Sequence, residues 1–370
     1  MSTAPMTSSA PYLRAYNGQV NLAKAYSWSL TRIQIFMIEV IDKPSTYGVG
    51  RHVVSELKRL RTDIVDLSEN GGGYQSEPSY PQAISRIVNP AAANEDESYL
   101  LLDIMTYGGL PYWNSFDLLG RFLSLIGPAP ESATQDNFYL PLTLMYSNWC
   151  GKIAPMAPWV SSCVWAEEKG KQSRFHLGAS LGGYRNPENR GNRWVKILQR
   201  ARFNLIRDQR IDTAGITFES TNIKGRGGNA IPFGNCAETY PLVNILRNHD
   251  PSEEVYGLAL MRRKLPEHAY NHLQALNTLM KPCINCQEVI TTWGGKVEKF
   301  ITDDIPDSSS IASEAQGSAT PGPSPGPSGL KVTLPIHTKR PSPADDTTEP
   351  AAKRAKKRAP QIPKNGKGKE

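Results

Sequence analysis

Residues 234–241 read Gly234-Asn235-Cys236-Ala237-Glu238-Thr239-Tyr240-Pro241, and residues 281–286 read Lys281-Pro282-Cys283-Ile284-Asn285-Cys286. The two stretches hold three cysteines, and Glu238 follows the first of them by two positions. Three thiolates can bind a zinc ion and leave its fourth position open, which is the arrangement of a catalytic site. Glu238 would then lie beside the metal rather than on it, where a carboxylate can move protons.

The sequence around both stretches predicts that the cysteines stand at helix starts. A loop rich in Gly, Asn and Pro precedes Cys236, and apolar residues follow it. Pro282 suits the first turn of a second helix, which Cys283 and Cys286 would open. Thiolates gain stabilisation at helix N-termini from unpaired backbone N–H groups and from the positive end of the helix dipole. Three thiolates on Zn²⁺ need that support, because their net charge of −1 makes a bound water less acidic.

The order C-x-E, then P-C-x-x-C, resembles the pattern of the cytidine deaminase-like superfamily, and within it the toxin-like deaminases that also occur in fungi. The resemblance covers residues 188–302. It implies an α/β fold, with a central sheet and the two motif helices packed on one face. It also implies hydrolytic deamination of a nucleobase, with Zn²⁺ held by the three cysteines and Glu238 as the catalytic residue.

The resemblance leaves the substrate and a rival site open. Cytosine in a polynucleotide is the favoured substrate, and the alternatives are a free nucleoside or nucleotide deaminase and a non-catalytic nuclear zinc-binding interaction protein. In deaminases an Asn before the first ligand often contacts the sugar, so Asn222 and Asn229 are candidate substrate-binding residues, with turn formation as the alternative. His268 and His272 could instead join Cys283 and Cys286 in a closed structural zinc site.

The positive charge of the chain is concentrated in two places. The net charge is +7 over 370 residues, and residues 339–370 account for +6 of it, with ten Lys/Arg against four Asp/Glu. Residues 184–210 hold eight Lys/Arg against two acidic residues. Within them, one helix face is predicted to carry Arg193, Lys196, Arg200 and Arg207, which makes it a candidate nucleic-acid-binding face or a merely solvated one.

The C-terminal residues 303–370 are predicted to be a disordered basic tail, because Pro, Gly, Ser and charged residues leave little apolar surface to bury. Two basic clusters, separated by twelve residues, resemble a bipartite nuclear-localisation signal. Their residues are Lys339, Arg340, Lys353, Arg354, Lys356, Lys357 and Arg358. The resemblance implies a nuclear protein and an import receptor as a partner.

The remaining sequence predicts the organisation of the body. Residues 1–10 are expected to be disordered, 11–187 to form a mostly helical region of unknown role, and 188–302 to form the deaminase-like domain. Helices are predicted at 53–67, 116–126 and 266–280, and strands at 211–220, 255–261 and 296–301. The tryptophans, Cys150 and Cys163 are expected in the core. No window approaches the roughly 18 apolar residues of a membrane span, so no membrane partner is expected.

Overall fold

The computed structural model of the chain describes residues 12–69, 104–154, 158–181, 192–220, 223, 231–266 and 269–300. The helices of these residues are α1 (Leu22–Tyr26), α2 (Leu30–Asp42), α3 (Val54–Glu69), α4 (Ser115–Leu125), α5 (Leu140–Ile153), α6 (Asn192–Ile206), α7 (Gln209–Thr213), α8 (Thr239–Pro241), α9 (His272–Leu276) and α10 (Ile284–Thr292). The strands are β1 (Arg14–Ala15), β2 (Val20–Asn21), β3 (Met105–Tyr107), β4 (Leu110–Tyr112), β5 (Val160–Glu167), β6 (Arg174–Ala179), β7 (Glu254–Met261) and β8 (Leu279–Met280). Short 3₁₀ helices span Pro44–Tyr47, Arg51–Val53, Arg262–Lys264 and Val297–Phe300, and π-helical turns span Gln135–Tyr139 and Leu242–Leu246.

A small antiparallel sheet with the strand order β6–β5–β7–β8 forms the centre of the fold. The strand β5 lies between β6 and β7, and Ser161 pairs with Ala179 on one side and with Leu260 on the other. Residues 161–166 of β5 are all buried. A strand buried along its whole length is covered on both faces, so this sheet is enclosed by helices. The fold is therefore a mixed helix-and-sheet arrangement.

The N-terminal helices form part of the same core as the sheet. Helix α4 covers the outer edge of β6 so closely that a Cβ added to Gly120 would collide with the carbonyl of Leu177. The buried Tyr146 hydroxyl of α5 donates to the Phe116 carbonyl of α4 over 2.9 Å. Covering an edge strand removes a site for unwanted pairing. The sheet also combines β5 and β6, from the predicted N-terminal region 11–187, with β7, from the predicted domain 188–302.

Three of the predicted elements are confirmed. The helix predicted at 53–67 is α3, the helix predicted at 116–126 is α4, and the strand predicted at 255–261 is β7. Helix α4 begins where the Asn114 side chain accepts a hydrogen bond from the Asp117 N–H over 2.8 Å, as a helix N-cap does.

Three other predicted elements are wrong. The strand predicted at 211–220 is instead helix α7 and turns, because the Asp208 carboxylate caps the helix by accepting from the Ile211 N–H over 3.0 Å. The strand predicted at 296–301 is the 3₁₀ helix Val297–Phe300, and its Phe300 ring packs where a Cβ of Gly257 would lie. The helix predicted at 266–280 is reduced to α9, and β8 takes its last residues into the sheet.

Most of the predicted core residues are buried, whereas Trp28 is only half-buried and the side chain of Trp194 lies outside the description. Cys150 and Cys163 are buried free thiols, and Trp113, Trp149 and Trp165 are buried. Trp159 is 55% exposed, which corrects its placement in the core. The segments predicted to be disordered, 1–10 and 303–370, lie outside the described residues.

Candidate metal centre

The three cysteines of the two motifs meet in the structure. Their Sγ atoms all lie within 4.8 Å of one another, with 3.2 Å between Cys236 and Cys283 and 3.5 Å between Cys283 and Cys286. A tetrahedral zinc ion with Zn–S bonds of about 2.3 Å separates its sulfur ligands by about 3.8 Å. The cluster needs only small adjustments to reach that separation, so the donor set fits a zinc ion with one position left for another ligand.

The first ligand segment is held against helix α6. Gly234 has a φ of +84°, and a Cβ at this position would lie 2.0 Å from the Gln199 carbonyl oxygen. Glycine is required here, both for the left-handed backbone and for the close approach. The Gln199 amide then donates to the Asn235 side chain over 2.9 Å. The residue next to Cys236 is therefore fixed from α6.

The same segment also approaches strand β6. An added Cβ on Gly178 would lie 2.3 Å from the Ala237 carbonyl oxygen and 2.5 Å from the Cδ of Pro241. The backbone of Leu181, which follows β6, donates to the Asn235 carbonyl over 3.1 Å. Cys236 and Glu238 thus stand in the turn before α8, directly against the sheet.

The second ligand segment opens helix α10, as the sequence predicted. Cys283 is the N-cap residue and Cys286 lies in the first turn. Hydrogen bonds with the Cys236 and Cys286 thiols hold the pKa of Cys283 well below its usual value, and backbone N–H groups of Cys286 and Asn285 lower it further. The buried Asn285 amide also donates to the Ile231 carbonyl over 3.2 Å, which ties α10 to the chain before Cys236.

Glu238 lies next to the thiols and away from solvent. Its side chain belongs to a residue that is 6% exposed, and it is not among the clustered ligands. Burial raises the pKa of Glu238 to about 7, the charge of Cys283 adds to the rise, and a hydrogen bond with Cys286 opposes it. A carboxyl group with a pKa near neutrality can both accept and donate a proton.

A buried ion pair lies behind the first ligand. Arg202 of α6 and Asp117 of α4 are both 0% exposed, with 3.4 Å between Arg202 Nη1 and Asp117 Oδ2. Arg202 donates to the Ala179 carbonyl over 3.0 Å and to the Cys236 carbonyl over 2.8 Å. Burial raises the pKa of Asp117, while Arg202 and the Asn114 amide oppose the rise.

Arg202 is one of the eight basic residues of 184–210, and the sequence pattern predicts no separate role for it. The signal was available, because Leu198, Ala201 and Leu205 mark the apolar face of α6 and Arg202 falls on that face by its spacing. A charged residue on an apolar helix face needs a buried partner. The sequence does not show that Asp117 is this partner, since it is 85 positions away from Arg202 in the chain.

The predicted nucleic-acid-binding residues are only partly described. Arg200 pairs with Glu219 at 3.2 Å and Arg207 with Asp212 at 2.7 Å, so both charges have acidic partners within the chain. Arg193 and Lys196 lie in the first turns of α6, and their side chains are outside the description. This helix face is therefore a weaker candidate than its sequence indicated.

The remaining predicted residues lie away from the cluster or outside the described part of the chain. Asn222, Asn229 and His268 belong to undescribed positions, as do the basic residues of the tail. His272 does not belong to the cluster, and its Nδ1 lies 3.1 Å from the Tyr270 hydroxyl. The rival site of two histidines and two cysteines gains no support from the described residues.

Comparison with known proteins gives no relative. No protein-family model matches the chain, and no curated protein or solved structure matches it. Within the described residues, no helix is both long enough and apolar enough to cross a membrane.

Proposed function

We propose that the protein is a zinc-dependent hydrolase of the cytidine deaminase type that removes the amino group of a nucleobase, with cytosine in a polynucleotide as the preferred substrate. The observation that carries the proposal is the buried Glu238 carboxyl group beside three clustered thiols. A purely structural zinc site has no use for a carboxyl group in that place. The deaminase-type fold is part of the proposal, and it is supported by β7, which lies between the two ligand segments along the chain.

The three cysteines and Glu238 would have different roles in the reaction. Cys236, Cys283 and Cys286 would hold Zn²⁺, which supplies a Lewis acid that brings the pKa of a water close to neutrality. Glu238 would take a proton from the attacking water and deliver protons to the ring nitrogen and to the leaving ammonia. A C–O bond forms at the ring carbon and its C–N bond breaks, so cytosine and water give uracil and ammonia.

A tryptophan that is 55% exposed and two exposed basic residues on the neighbouring segment support a polynucleotide substrate. Trp159 precedes β5, and its carbonyl accepts from the Arg262 N–H over 2.8 Å. Arg263 and Lys264, which follow, are exposed. Proteins bind single strands by stacking bases on aromatic rings and by tracking the phosphates with basic residues.

This surface lies at the end of the sheet where the ligand segments begin. Val160, the first residue of β5, accepts through its carbonyl from the Ser180 N–H over 2.9 Å, and Leu181 then bonds to Asn235 beside Cys236. On the other side, the Met261 N–H donates to the Thr278 carbonyl over 2.8 Å, shortly before Cys283. These hydrogen bonds connect the segment at Trp159 with the segments that lead to Cys236 and to Cys283, which supports binding of a strand at this end of the sheet.

The test is incubation of zinc-loaded protein with single-stranded DNA, RNA, cytidine and free cytosine in parallel, followed by chromatography of the bases. Glu238→Gln should retain zinc and lose about 10²–10⁴-fold in rate, because it removes the proton carrier. Glu288→Gln is the matched control, since Glu288 is a less buried carboxyl group on α10. It should retain the wild-type rate. A zinc-loaded wild type that leaves all four substrates unchanged would refute the enzyme and leave a zinc-binding scaffold.

Two further variants test whether the substrate is a polynucleotide or a free nucleoside. Trp159→Ala should weaken binding of a single-stranded oligonucleotide about tenfold, because stacking on one base is worth about 1–3 kcal/mol. Leu273→Ala is the control, since Leu273 is 75% exposed but cannot stack. Turnover of free cytidine should not change in either variant. Equal oligonucleotide affinity of the Trp159→Ala variant and the wild type would favour a free nucleoside as substrate.

A further inference from the structure

Arg202 connects three parts of the chain at the back of the first zinc ligand. Its guanidinium donates one hydrogen bond to the end of β6 at Ala179 and another to the carbonyl of Cys236 itself. Its Cζ atom lies 5.4 Å from the centre of the Tyr240 ring, in the helix that follows Cys236. A planar guanidinium can hold two carbonyls in fixed directions, which an ammonium group cannot do.

Asp117 holds this guanidinium from the N-terminal part of the chain. It stands in the first turn of α4, and its carboxylate accepts from the Asn114 amide as well as pairing with Arg202. Asn114, Asp117 and Arg202 are all buried. The connection runs from α4 through Arg202 to the metal ligand Cys236.

The ion pair is not fully satisfied by hydrogen bonds. Within the part of the chain that the structure describes, Asp117 Oδ1 and Arg202 Nε are buried without a well-formed hydrogen bond, although the Ala179 backbone lies close enough to lower the pKa of Asp117. A buried ion pair in this condition contributes little to stability, and apolar residues of similar volume often replace such a pair without loss. The ion pair by itself is therefore a poor explanation for these two residues, and the two carbonyl groups that Arg202 holds are the better one.

We infer that Asp117 and Arg202 are positioning residues of the metal centre, which fix the backbone of Cys236 and thereby the direction of its thiolate. The inference rests on the proposed zinc site and assigns a role to the N-terminal region, whose function the sequence did not reveal. Hydrogen-bonded partners behind a ligand typically control metal affinity by about 10–100-fold. Here the partner acts on the ligand's main chain.

The decisive variant is Asp117→Leu combined with Arg202→Met, which replaces both charges by apolar side chains. The measurement is zinc affinity by competition with a chromophoric chelator, in the full-length protein and without substrate. We expect a fold-retaining variant, as judged by its circular dichroism, whose zinc affinity is about 10–100-fold weaker. The Co²⁺-substituted variant should also show shifted thiolate-to-cobalt absorption bands, which a merely structural role would not change.

The matched control is Glu56→Leu combined with Arg121→Met. This pair also reaches α4, at 2.9 Å, but touches neither ligand segment through its ion pair. Its zinc affinity and cobalt spectrum should equal those of the wild type. Equal losses in both double variants would overturn the inference, because they would reflect loosening of α4 alone.

A conservative variant keeps the inference testable if the decisive variant does not fold. Arg202→Lys retains the charge beside Asp117 but cannot hold both carbonyls, so zinc affinity should fall about tenfold. Wild-type affinity and spectrum in Arg202→Lys would overturn the inference. A wild type that binds zinc but does not deaminate would refute the proposed activity and leave this inference intact, whereas a wild type without zinc affinity would overturn both.

Discussion

Replacing Gly178 with alanine should weaken the metal centre although Gly178 is not a ligand. The new Cβ would lie 2.3 Å from the Ala237 carbonyl oxygen, whereas ordinary contacts begin at 3.4 Å. The chain from Cys236 to Pro241 would therefore have to withdraw by about 1 Å, since both partners are main-chain or ring atoms with little freedom. Such a shift exceeds the roughly 0.2 Å tolerance of metal–ligand distances.

Two magnitudes follow from this geometry. Overpacking of this kind costs about 1–3 kcal/mol of unfolding free energy, which lowers Tm by about 2–4 °C per kcal/mol in a domain of this size. Zinc affinity should fall by about 10–100-fold, as when a ligand loses its support. Chelator competition measures the affinity, and thermal unfolding of the metal-free protein measures the stability separately.

Gly257→Ala supplies the control for this prediction. A Cβ on Gly257 would lie 2.3 Å from the Phe300 ring, so it overpacks the same sheet at β7 without touching a ligand segment. It should lower Tm and leave zinc affinity unchanged. The reasoning fails if the Gly178→Ala variant binds zinc as tightly as Gly257→Ala does.

The remaining predictions concern the ligands, one buried histidine and the tail. Cys283→Ser should remove the bound zinc measured by elemental analysis, whereas alanine at both His268 and His272 should not; zinc loss in the histidine variant would favour the rival site. Burial lowers the pKa of His176 to about 3, so the folded state stays neutral while the unfolded state gains a proton near pH 6.5. The contribution of His176 to the free energy of unfolding is therefore complete above pH 6.5, and about 2 kcal/mol of it is lost when the pH falls to 5. Denaturant unfolding of the His176→Asn variant should lack this loss. An identical pH dependence of the two proteins would refute the prediction. Deleting 330–370 should move a fluorescent fusion from the nucleus to the cytoplasm, and unchanged nuclear accumulation would place the signal elsewhere.

Local spacing predicts that two of the three clustered cysteines lie close together. Cys283 is the N-cap of α10 and Cys286 lies in its first turn, so the proximity of these two thiols follows from helix geometry alone. That Cys236 would join them was an interpretation of residue types, since 47 positions separate it from Cys283. The structure brings the three thiols together, and the resemblance that suggested their meeting rests on the same residues.

Short segments of mixed composition were the hardest to predict from the sequence. The run at 211–220 has the composition of a strand, but the Asp208 cap and the positive φ of Gly215 make it a short helix and a turn. Periodicity cannot separate a strand from a short helix over so few residues. The helix cap Asp208 favours the short helix over a strand, and it lies before the segment 211–220.

Only the tertiary structure decided what surrounds the cluster. The strands β5 and β6 come from the region assigned no chemistry, and β5 pairs with β7 across about 90 to 100 residues. In the folded chain Arg202 is buried against Asp117, and Trp159 is exposed beside β5. Helical spacing and cap residues act over a few positions, so the sequence by itself determined the proximity of Cys283 and Cys286. Register and packing act between distant segments, so the environment of those ligands is determined only when the chain folds.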